Sequence, residues 1–366
     1  MKYLLKNGTV ISGAGTRKQD VLVEGEKIIK VGEELSQPDA KVVDVSGKLL
    51  FPGFIDGHTH FDLEVAGTVT ADDFETGTRA AILGGTTLVI DFASQDKGGH
   101  TLKEGLEKWH KKADGKCSCD YSFHMSIVEW NEETKKEIQD MINEGITSFK
   151  LYMTYPAMIV DDEDLYKIIK ALNEKGCFAG VHCENAGVID ALIQEAKAQG
   201  KLGPENHPLV RPDTMEAEAV HRLLVIAKEA GAPVMVVHLT NRKAYEEIIR
   251  ARENGQSVFA ETCPQYLLLD DSVYSKPDFE GAKYVRSANP QESGSGLPVE
   301  SPGRWRYPDS SYRPVQLYPC PESNGKSGFY QDSRWPAGSS DKGNSSLYLR
   351  RAHRQNYSRE NVPASV

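Results

Sequence analysis

From residue 50 to about residue 270, short apolar segments alternate with charged amphipathic segments, and this alternation restricts the fold more than any other feature. The apolar segments are nearly continuous hydrophobic runs, which is typical of parallel strands buried on both faces of a sheet. The intervening segments carry charge on one side with helical spacing. In chain order, the apolar segments are TTLVIDFA, CDYSFHMSIV, ITSFKLYM, CFAGVHCEN, APVMVVHLT and SVFAETCPQYLLL. Each of them predicts a strand that follows a helix.

Together with a strand at residues 49–56, these segments give about seven successive β-units. The pattern predicts the α/β class and a (β/α)8 TIM-like barrel that is incomplete at its last unit. The first fifty residues instead contain short strands separated by turns such as Asn7-Gly8, with an alternation that suits antiparallel pairing. The predicted domains are a small N-terminal β-sandwich at 1–50, the barrel at 51–287 and an aberrant low-order tail at 288–366.

Composition excludes several classes of protein. The chain has 366 residues and a net charge of -10, which argues against a nucleic-acid partner. It contains no apolar run long enough to span a membrane, and its first residues lead directly into a strand without a signal peptide. The six Cys form no CxxC pair, so neither a disulfide framework nor a Cys-rich zinc site is predicted. The expected compartment is the cytoplasm.

Four His and one Lys lie at or near the carboxyl ends of the predicted strands, where barrel enzymes build their sites. They are His58, His60, Lys150, His182 and His238. His58 and His60 should project to the same side, because side chains alternate along a strand. Any one of these residues has an ordinary structural explanation, since a single strand-end His is more often hydrogen-bonded packing. Their joint position at one end of the barrel predicts a metal site.

Lys150 requires a separate explanation, because an ammonium group is not a metal ligand. A Lys in an apolar strand near positive charge has a lowered pKa and becomes nucleophilic. Such an amine can capture carbon dioxide as an anionic carbamate, whose two oxygens could bridge two metal ions. His58 and His60 would then hold one ion, and His182 and His238 the other. A hydroxide held between the ions would be the nucleophile.

The chain resembles the cyclic amidohydrolases, and among them the dihydropyrimidinases and D-hydantoinases. The matching stretches are GFIDGHTHFD, GGTTLVIDFA, SFKLYMTYP, GVHCENA, VVHLT and ETCPQYLLLD, in the family's order over residues 1 to about 287. The resemblance implies two zinc-like divalent ions, bound by the four His and carbamylated Lys150. It implies hydrolytic opening of a small cyclic ureide or imide and a homotetramer. It also implies that Tyr155 donates to the oxyanion and that the Ser287 backbone contacts the ring amide.

Two alternatives remain at this stage. Dihydroorotases and allantoinases have a first motif that resembles HxHxR or HxHxN. The Arg of that motif would bind a substrate carboxylate. Here Phe61-Asp62 follows His60, which favours an uncharged ring. The other alternative is a catalytically impaired or inactive member that acts as a scaffold. Collapsin-response-mediator relatives share the fold but lack the metal His set, which this chain has.

The composition changes abruptly after Ser287, where Ser, Pro, Gly and Arg dominate and Ile no longer occurs. No apolar period of a helix or strand is sustained there, which is typical of disorder. The family's metal-binding Asp of the eighth strand, a general base and acid, cannot be found in this tail. Our hypothesis is a frameshift, because codons read one nucleotide later can encode strings that resemble the family's end. The coding DNA around Ser287 would test it directly.

Overall fold

The structure is a computed structural model, which describes residues 1–284 except 14, 66–67, 264–265, 267–268 and 278–279. Three predictions therefore fall outside the described residues: the contact of Ser287, the fate of the eighth strand with its Asp, and the nature of the tail at 288–366.

The strands before the barrel form one five-stranded sheet. They are β1 (Lys2–Ser12), β2 (Gly15–Glu24), β3 (Lys27–Gly32), β4 (Lys41–Asp44) and β5 (Leu49–Leu50). The order is β3-β2-β1-β4, with β5 also beside β1. The first three strands pair antiparallel as predicted, but β4 and β5 run parallel to β1, which the sequence did not predict. After β3 the chain crosses to the other side of β1, where β4 and β5 run in the same direction as β1. The division into a sandwich and a barrel at residue 50 stays a prediction.

The barrel strands form a second sheet, whose order follows the chain. The strands from residue 54 onward are β6 (Phe54–Thr59), β7 (Glu64–Val65), β8 (Thr68–Val69), β9 (Thr86–Ser94), β10 (Asp120–Ser126), β11 (Ser148–Tyr152), β12 (Phe178–His182), β13 (Val234–Val236) and β14 (Val258–Ala260). β7 and β8 form a small separate hairpin. The other seven are neighbours in the order β14-β13-β12-β11-β10-β9-β6, and every pair is parallel. The seven predicted β-units are therefore confirmed within the described part of the chain.

Helices cover the outer face of this sheet, as right-handed crossovers between parallel strands require. They are α1 (Phe74–Leu83), α2 (Leu102–Ala113), α3 (Glu132–Asn143), α4 (Asp162–Glu174), α5 (Ala186–Ala198), α6 (His207–Val210), α7 (Asp213–Ala230) and α8 (Arg242–Glu253). Short 3-10 helices lie at Pro204–Asn206, Asp271–Ser275 and Glu280–Tyr284. Most longer helices begin at an Asp, Thr or Asn whose side chain accepts from the first turn, such as Thr101 before α2. No described helix is both long and apolar enough to cross a membrane.

The alternation of side chains in the strands determines which residues reach the site. In β11 and β12, Phe149 and Val181 belong to the large apolar core under the helices. Because successive side chains point to opposite faces, Lys150 and His182 project to the other side of the sheet. A smaller apolar cluster there contains Phe178, Met235 and Val237, with Phe259 packed against it. The polar site residues thus lie on the face opposite the main core.

Candidate active site

The structure brings together the four His that the sequence placed at strand ends. His58 lies near the end of strand β6, His60 comes directly after that strand, His182 ends β12, and His238 lies just after β13. The ring centroids of His58 and His60 are 5.1 Å apart, those of His58 and His238 5.4 Å, and those of His182 and His238 4.6 Å. The rings therefore form a continuous row from the first strand of the barrel to the sixth.

Lys150 is buried within the same cluster, with only 1% of its surface exposed. Its Nζ atom lies 5.1 Å from the ring centroid of Phe92 and 5.2 Å from that of Tyr152. The Phe92 ring in turn contacts the rings of His58 and His60, at 4.5 and 4.8 Å between centroids. Burial lowers the pKa of Lys150 to about 7, because a charged amine loses its hydration there. A large fraction of this amine is therefore neutral near neutral pH.

His182 and His238 share a direct contact between ring nitrogens. Nδ1 of His182 lies 3.0 Å from Nε2 of His238. The other nitrogen of His182, Nε2, lies 2.7 Å from Oε2 of Glu184. Burial lowers the pKa of both imidazoles, and that of His238 lies well below its usual value. Both rings are consequently neutral at pH 7, which is the form that binds metal.

Glu261, directly after strand β14, connects the two His pairs. Its Oε1 atom lies 2.6 Å from Nδ1 of His58 and accepts the backbone N–H of His238 at 3.2 Å. Burial acts to raise the pKa of this carboxyl, but the hydrogen bond and charge of His58, followed by Lys150, outweigh it and lower the pKa. A carboxylate on one ring nitrogen orients the imidazole and leaves the other nitrogen for a metal.

Asp91 in strand β9 holds the segment between the first two His. Its carboxylate is buried and accepts four hydrogen bonds. The donors are the Thr59 hydroxyl at 2.9 Å, the Phe61 and Phe92 backbone N–H groups at 2.8 Å each, and the Trp109 indole at 3.0 Å. Burial raises the pKa of Asp91 to about 6, against the effect of these donors. Since Thr59 and Phe61 flank His60, Asp91 fixes the direction of that residue.

His124 in strand β10 contacts the backbone of the segment that carries His58 and His60. Its Nε2 atom lies 3.0 Å from the carbonyl oxygen of Gly57, and its Nδ1 atom lies 2.5 Å from the Ser148 hydroxyl. Burial lowers the pKa of His124 to about 4, so the ring is neutral. The neutral ring donates to Gly57 through Nε2 and accepts from Ser148, which fixes the residue before His58.

Tyr155 lies beside His182, in the loop after strand β11. The ring centroids of Tyr155 and His182 are 5.0 Å apart, and 38% of the Tyr155 surface is exposed. Its φ angle is +67°, in the left-handed region that costs free energy for a residue other than Gly. The loop places the phenol next to the imidazole cluster. Its predicted role as an oxyanion donor stays a prediction.

The side-chain chemistry fits a divalent metal ion. Imidazole nitrogens are common zinc ligands, and two of them bound to one tetrahedral ion at their usual length would lie ~3.3 Å apart. The 3.0 Å between His182 and His238 is close to that spacing. Among the described residues, no group of three or more His, Cys, Asp or Glu has the arrangement of a formed metal site. Instead, the ring nitrogens of three of the His contact each other or the carboxylates of Glu184 and Glu261.

The sequence interpretation missed the residues that hold these rings, namely Asp91, Glu184, Arg211 and Glu261. Two of them carried a usable signal. Asp91 interrupts the apolar segment TTLVIDFA, and Glu261 ends the apolar part of the seventh strand at the same edge as the His. Arg211 lies between α6 and α7, where nothing in the pattern distinguishes it from other charged residues.

Comparison with known proteins agrees with the resemblance to cyclic amidohydrolases. The Amidohydrolase family matches residues 49–265, which is more than half of the chain. The D-hydantoinase of Streptomyces coelicolor is 44% identical over 305 residues, covering 81% of this chain and 65% of the relative. The D-hydantoinase of Geobacillus stearothermophilus is 45% identical over 289 residues, covering 78% of this chain and 61% of the relative.

A solved structure supports the predicted barrel. The dihydropyrimidinase of Brevibacillus agri is 44% identical and superposes with a TM-score of 0.78, covering 80% of this chain and 64% of that one. The chain thus spans less than two thirds of the length of these relatives. The predicted TIM-like barrel with a strand-rich N-terminal part is confirmed. From its sequence match, its parallel barrel and its row of strand-end imidazoles, the chain belongs to the amidohydrolase family.

Proposed function

We propose that this chain is a hydrolase that opens cyclic amides of the dihydropyrimidine and hydantoin class at a two-metal site. The observation that carries the proposal is the burial of Lys150 among four imidazoles at the carboxyl ends of parallel strands. The names of its relatives, D-hydantoinase and dihydropyrimidinase, support the same class of substrate. A small neutral cyclic ureide or imide is the proposed ligand.

The proposed metal ligands divide into two pairs. His58 and His60 would hold one ion, His182 and His238 the other, and a carbamate on Lys150 would contact both. The neutral Lys150 amine would attack carbon dioxide, forming an N–C bond and releasing one proton. Bound divalent ions, proposed as zinc, would supply a water of lowered pKa and polarise the carbonyl under attack. Their identity and the carbamate are parts of the proposal.

The chain's own residues would orient the reacting groups. Glu261 and Glu184 hold one nitrogen of His58 and His182, so that the opposite nitrogen of each ring is available to a ligand. The Tyr155 hydroxyl would donate to the oxygen of the attacked carbonyl as negative charge develops on it. Water adds to the ring carbonyl, the C–N bond breaks, and the ring nitrogen receives a proton. The open product is a ureido or amido carboxylate.

The residues after His60 support an uncharged substrate. Phe61 is partly buried, and its ring contacts that of Phe74 at 5.6 Å between centroids. No cation stands at that position to bind a substrate carboxylate, in contrast to the Arg expected for dihydroorotases. The residues after His60 therefore favour an uncharged ring and disfavour the allantoinase or dihydroorotase alternative.

The test is ring opening by protein that has been reconstituted with Zn²⁺ and bicarbonate. Hydantoin and dihydrouracil should lose their ultraviolet absorbance as the ring opens, and dihydroorotate should not. Metal content is measured in the same samples. Two ions per chain with turnover supports the proposal, whereas two ions without turnover of any ring overturns it in favour of a non-catalytic member. The cytoplasmic location and the tetramer stay predictions.

A further inference from the structure

Four side chains at the edge of the site form a closed circle of contacts. Nε2 of His182 lies 2.7 Å from Oε2 of Glu184, and the same oxygen lies 2.5 Å from Nη1 of Arg211. Cζ of Arg211 lies 5.6 Å from the ring centroid of Tyr155. The Tyr155 ring returns to the His182 ring at 5.0 Å between centroids. Arg211 thus contacts a proposed oxyanion donor on one side and the partner of a proposed metal ligand on the other.

The circle joins three separate segments of the chain. His182 ends strand β12 and Glu184 follows it, Tyr155 follows strand β11, and Arg211 comes from the connection between α6 and α7. The side chains of Glu184 and Arg211 are each only 17% exposed, so their charges are largely removed from water. The net stability that such a buried ion pair supplies is small, because the cost of removing the charges from water offsets much of their attraction. The geometry of the pair is fixed by a planar guanidinium, which can bind the carboxylate and face a ring at once.

Tyr155 needs an external support because its backbone is in the left-handed region. Lys97 supplies one from the neighbouring loop, since its Nζ donates to the carbonyls of Pro156 and Ile159, both at 3.0 Å. Those bonds hold the backbone of the loop and leave the direction of the phenol ring undetermined. Arg211 contacts the ring itself.

Glu184 determines which nitrogen of His182 carries the proton. A carboxylate accepts, so the Nε2–H of the neutral ring donates to it, and Nδ1 keeps its lone pair. Nδ1 is the nitrogen that faces His238 and the cluster. The Arg211 guanidinium holds the Glu184 oxygen in place. Through that oxygen it fixes the orientation of the His182 ring and therefore the direction in which the Nδ1 lone pair points.

We propose that Arg211 is a positioning residue that fixes the ring of Tyr155 and, through Glu184, the metal-facing nitrogen of His182. The inference rests on the proposed function for its meaning, because it assigns Arg211 to the same site. The competing explanation is an ion pair that only fastens the α6–α7 connection to the barrel. That explanation predicts a loss of stability without any change in the metal site or in the phenol.

Two substitutions of Arg211 separate these explanations. Arg211→Met removes the charge, whereas Arg211→Lys keeps the charge for Glu184 but lacks the planar group that reaches both neighbours. Glu184→Gln removes the charge between His182 and Arg211, and Lys97→Met removes the hydrogen bonds to the backbone of the Tyr155 loop. Arg222→Met is the matched control, because Arg222 of α7 pairs with Asp162 of α4 and with Glu218 one turn earlier on α7, away from the His cluster.

The first readout is binding of Co²⁺ or Zn²⁺ to the full chain, which does not require turnover. Glu184→Gln should lower the affinity for one of the two ions about tenfold, as loss of a carboxylate behind a His ligand does. Arg211→Met should lower the affinity for the same ion, and Arg211→Lys should keep much of the parent chain's affinity. Lys97→Met and Arg222→Met should bind both ions as the parent chain does.

The second readout is the ¹⁹F NMR signal of Tyr155 in protein labelled with 3-fluorotyrosine, assigned by its loss in Tyr155→Phe. This signal should shift or broaden in Arg211→Met, Arg211→Lys and Lys97→Met, and stay unchanged in Arg222→Met. If the parent chain turns over a cyclic amide, the Arg211 variants should lose kcat more than they raise KM.

The two proposals fail in distinguishable ways. Ion binding with a shifted Tyr155 signal, but no turnover in any variant, removes the proposed function and supports the positioning role. Arg211→Met and Arg211→Lys that only unfold more easily, with parental ion affinity and an unchanged Tyr155 signal, overturn the positioning role. If Arg211→Met fails to fold, the Arg211→Lys result alone decides between the two explanations.

Discussion

The Nδ1 atom of His182 and the Nε2 atom of His238 lie 3.0 Å apart at the ends of two adjacent parallel strands. Two neutral imidazoles at this distance share one proton, and a divalent ion that replaces the proton would find both donors in place. Their strands are joined by backbone pairing from Ala179 to Val181, so the separation of the two rings is set by the sheet.

His238→Asn should therefore cost the protein one ion. Asn keeps a polar group of similar reach but lacks the imidazole nitrogen that a zinc ion prefers. We expect the Zn²⁺ content after dialysis to fall from two per chain to one, measured by mass spectrometry of the metal. His221→Asn is the control, since His221 lies on the surface and pairs with Glu247. Retention of both ions in His238→Asn would remove this residue from the site.

Lys150→Met should prevent the pairing of ions. Met fills the buried volume between Phe92 and Tyr152 without an amine, so the apolar packing is kept and the carbamate cannot form. Parent protein loaded with Zn²⁺ and ¹³C-bicarbonate should give a carbamate carbon signal in ¹³C NMR, and the variant should not. Lys170→Met, at an exposed position on α4, serves as control. Two ions per chain in Lys150→Met would contradict the carbamate role.

The barrel strands and the row of His rings at their ends were predictable, because each depends on a repeating pattern. Long apolar runs separated by amphipathic helices fix the number and direction of the barrel strands, and strand ends then locate His182 and His238. The parallel pairing of β4 and β5 with β1 was not predictable, since it depends on where the chain crosses after β3. Local alternation is the same for a parallel and an antiparallel neighbour.

The residues that orient the rings escaped prediction for a different physical reason. Glu184 and Arg211 act as single charges whose partners come from other segments, and no periodicity marks such residues. The left-handed conformation of Tyr155 is likewise imposed by its surroundings, since its residue type does not favour it. Tertiary contacts decide these features, whereas spacing decides the strands.

Asp91→Asn should destabilise the protein more than its small change in size suggests. The two carboxylate oxygens each accept two hydrogen bonds, and an amide offers only one oxygen. Two buried donors would then face an NH₂ group, which should cost ~2–4 kcal/mol of the free energy of unfolding. Urea denaturation measures this loss, with the exposed Asp190→Asn on α5 as control. Equal stability of the two variants would contradict this expectation and would indicate that Asp91 is protonated and donates to the Thr59 hydroxyl, the one partner that can also accept.

Glu216 should make the stability of the protein depend on pH. It lies in α7, buried, and its carboxyl accepts from the Thr240 backbone N–H at 3.0 Å and from the Thr240 hydroxyl and the Asn241 amide. Burial raises the pKa of Glu216 from 4.5 to about 8, although these donors oppose the change. Between these two values the folded protein holds a proton that the unfolded chain has released. The contribution of Glu216 to the free energy of unfolding therefore falls as the pH rises from about 4.5 to 8.

Glu216→Gln removes this titration and keeps the size of the side chain. The slope of the unfolding free energy against pH, measured by urea denaturation from pH 5 to 8, should be higher in the variant than in the parent by up to ~1.4 kcal/mol per pH unit. Glu229→Gln, exposed on the same helix α7, should leave the slope of the parent protein unchanged. Parallel slopes for the parent and Glu216→Gln would mean that the folded protein already holds an ionised Glu216 across this range. The hydrogen bonds from Thr240 and Asn241 would then outweigh burial, and the loop after His238 would be held by a charged acceptor.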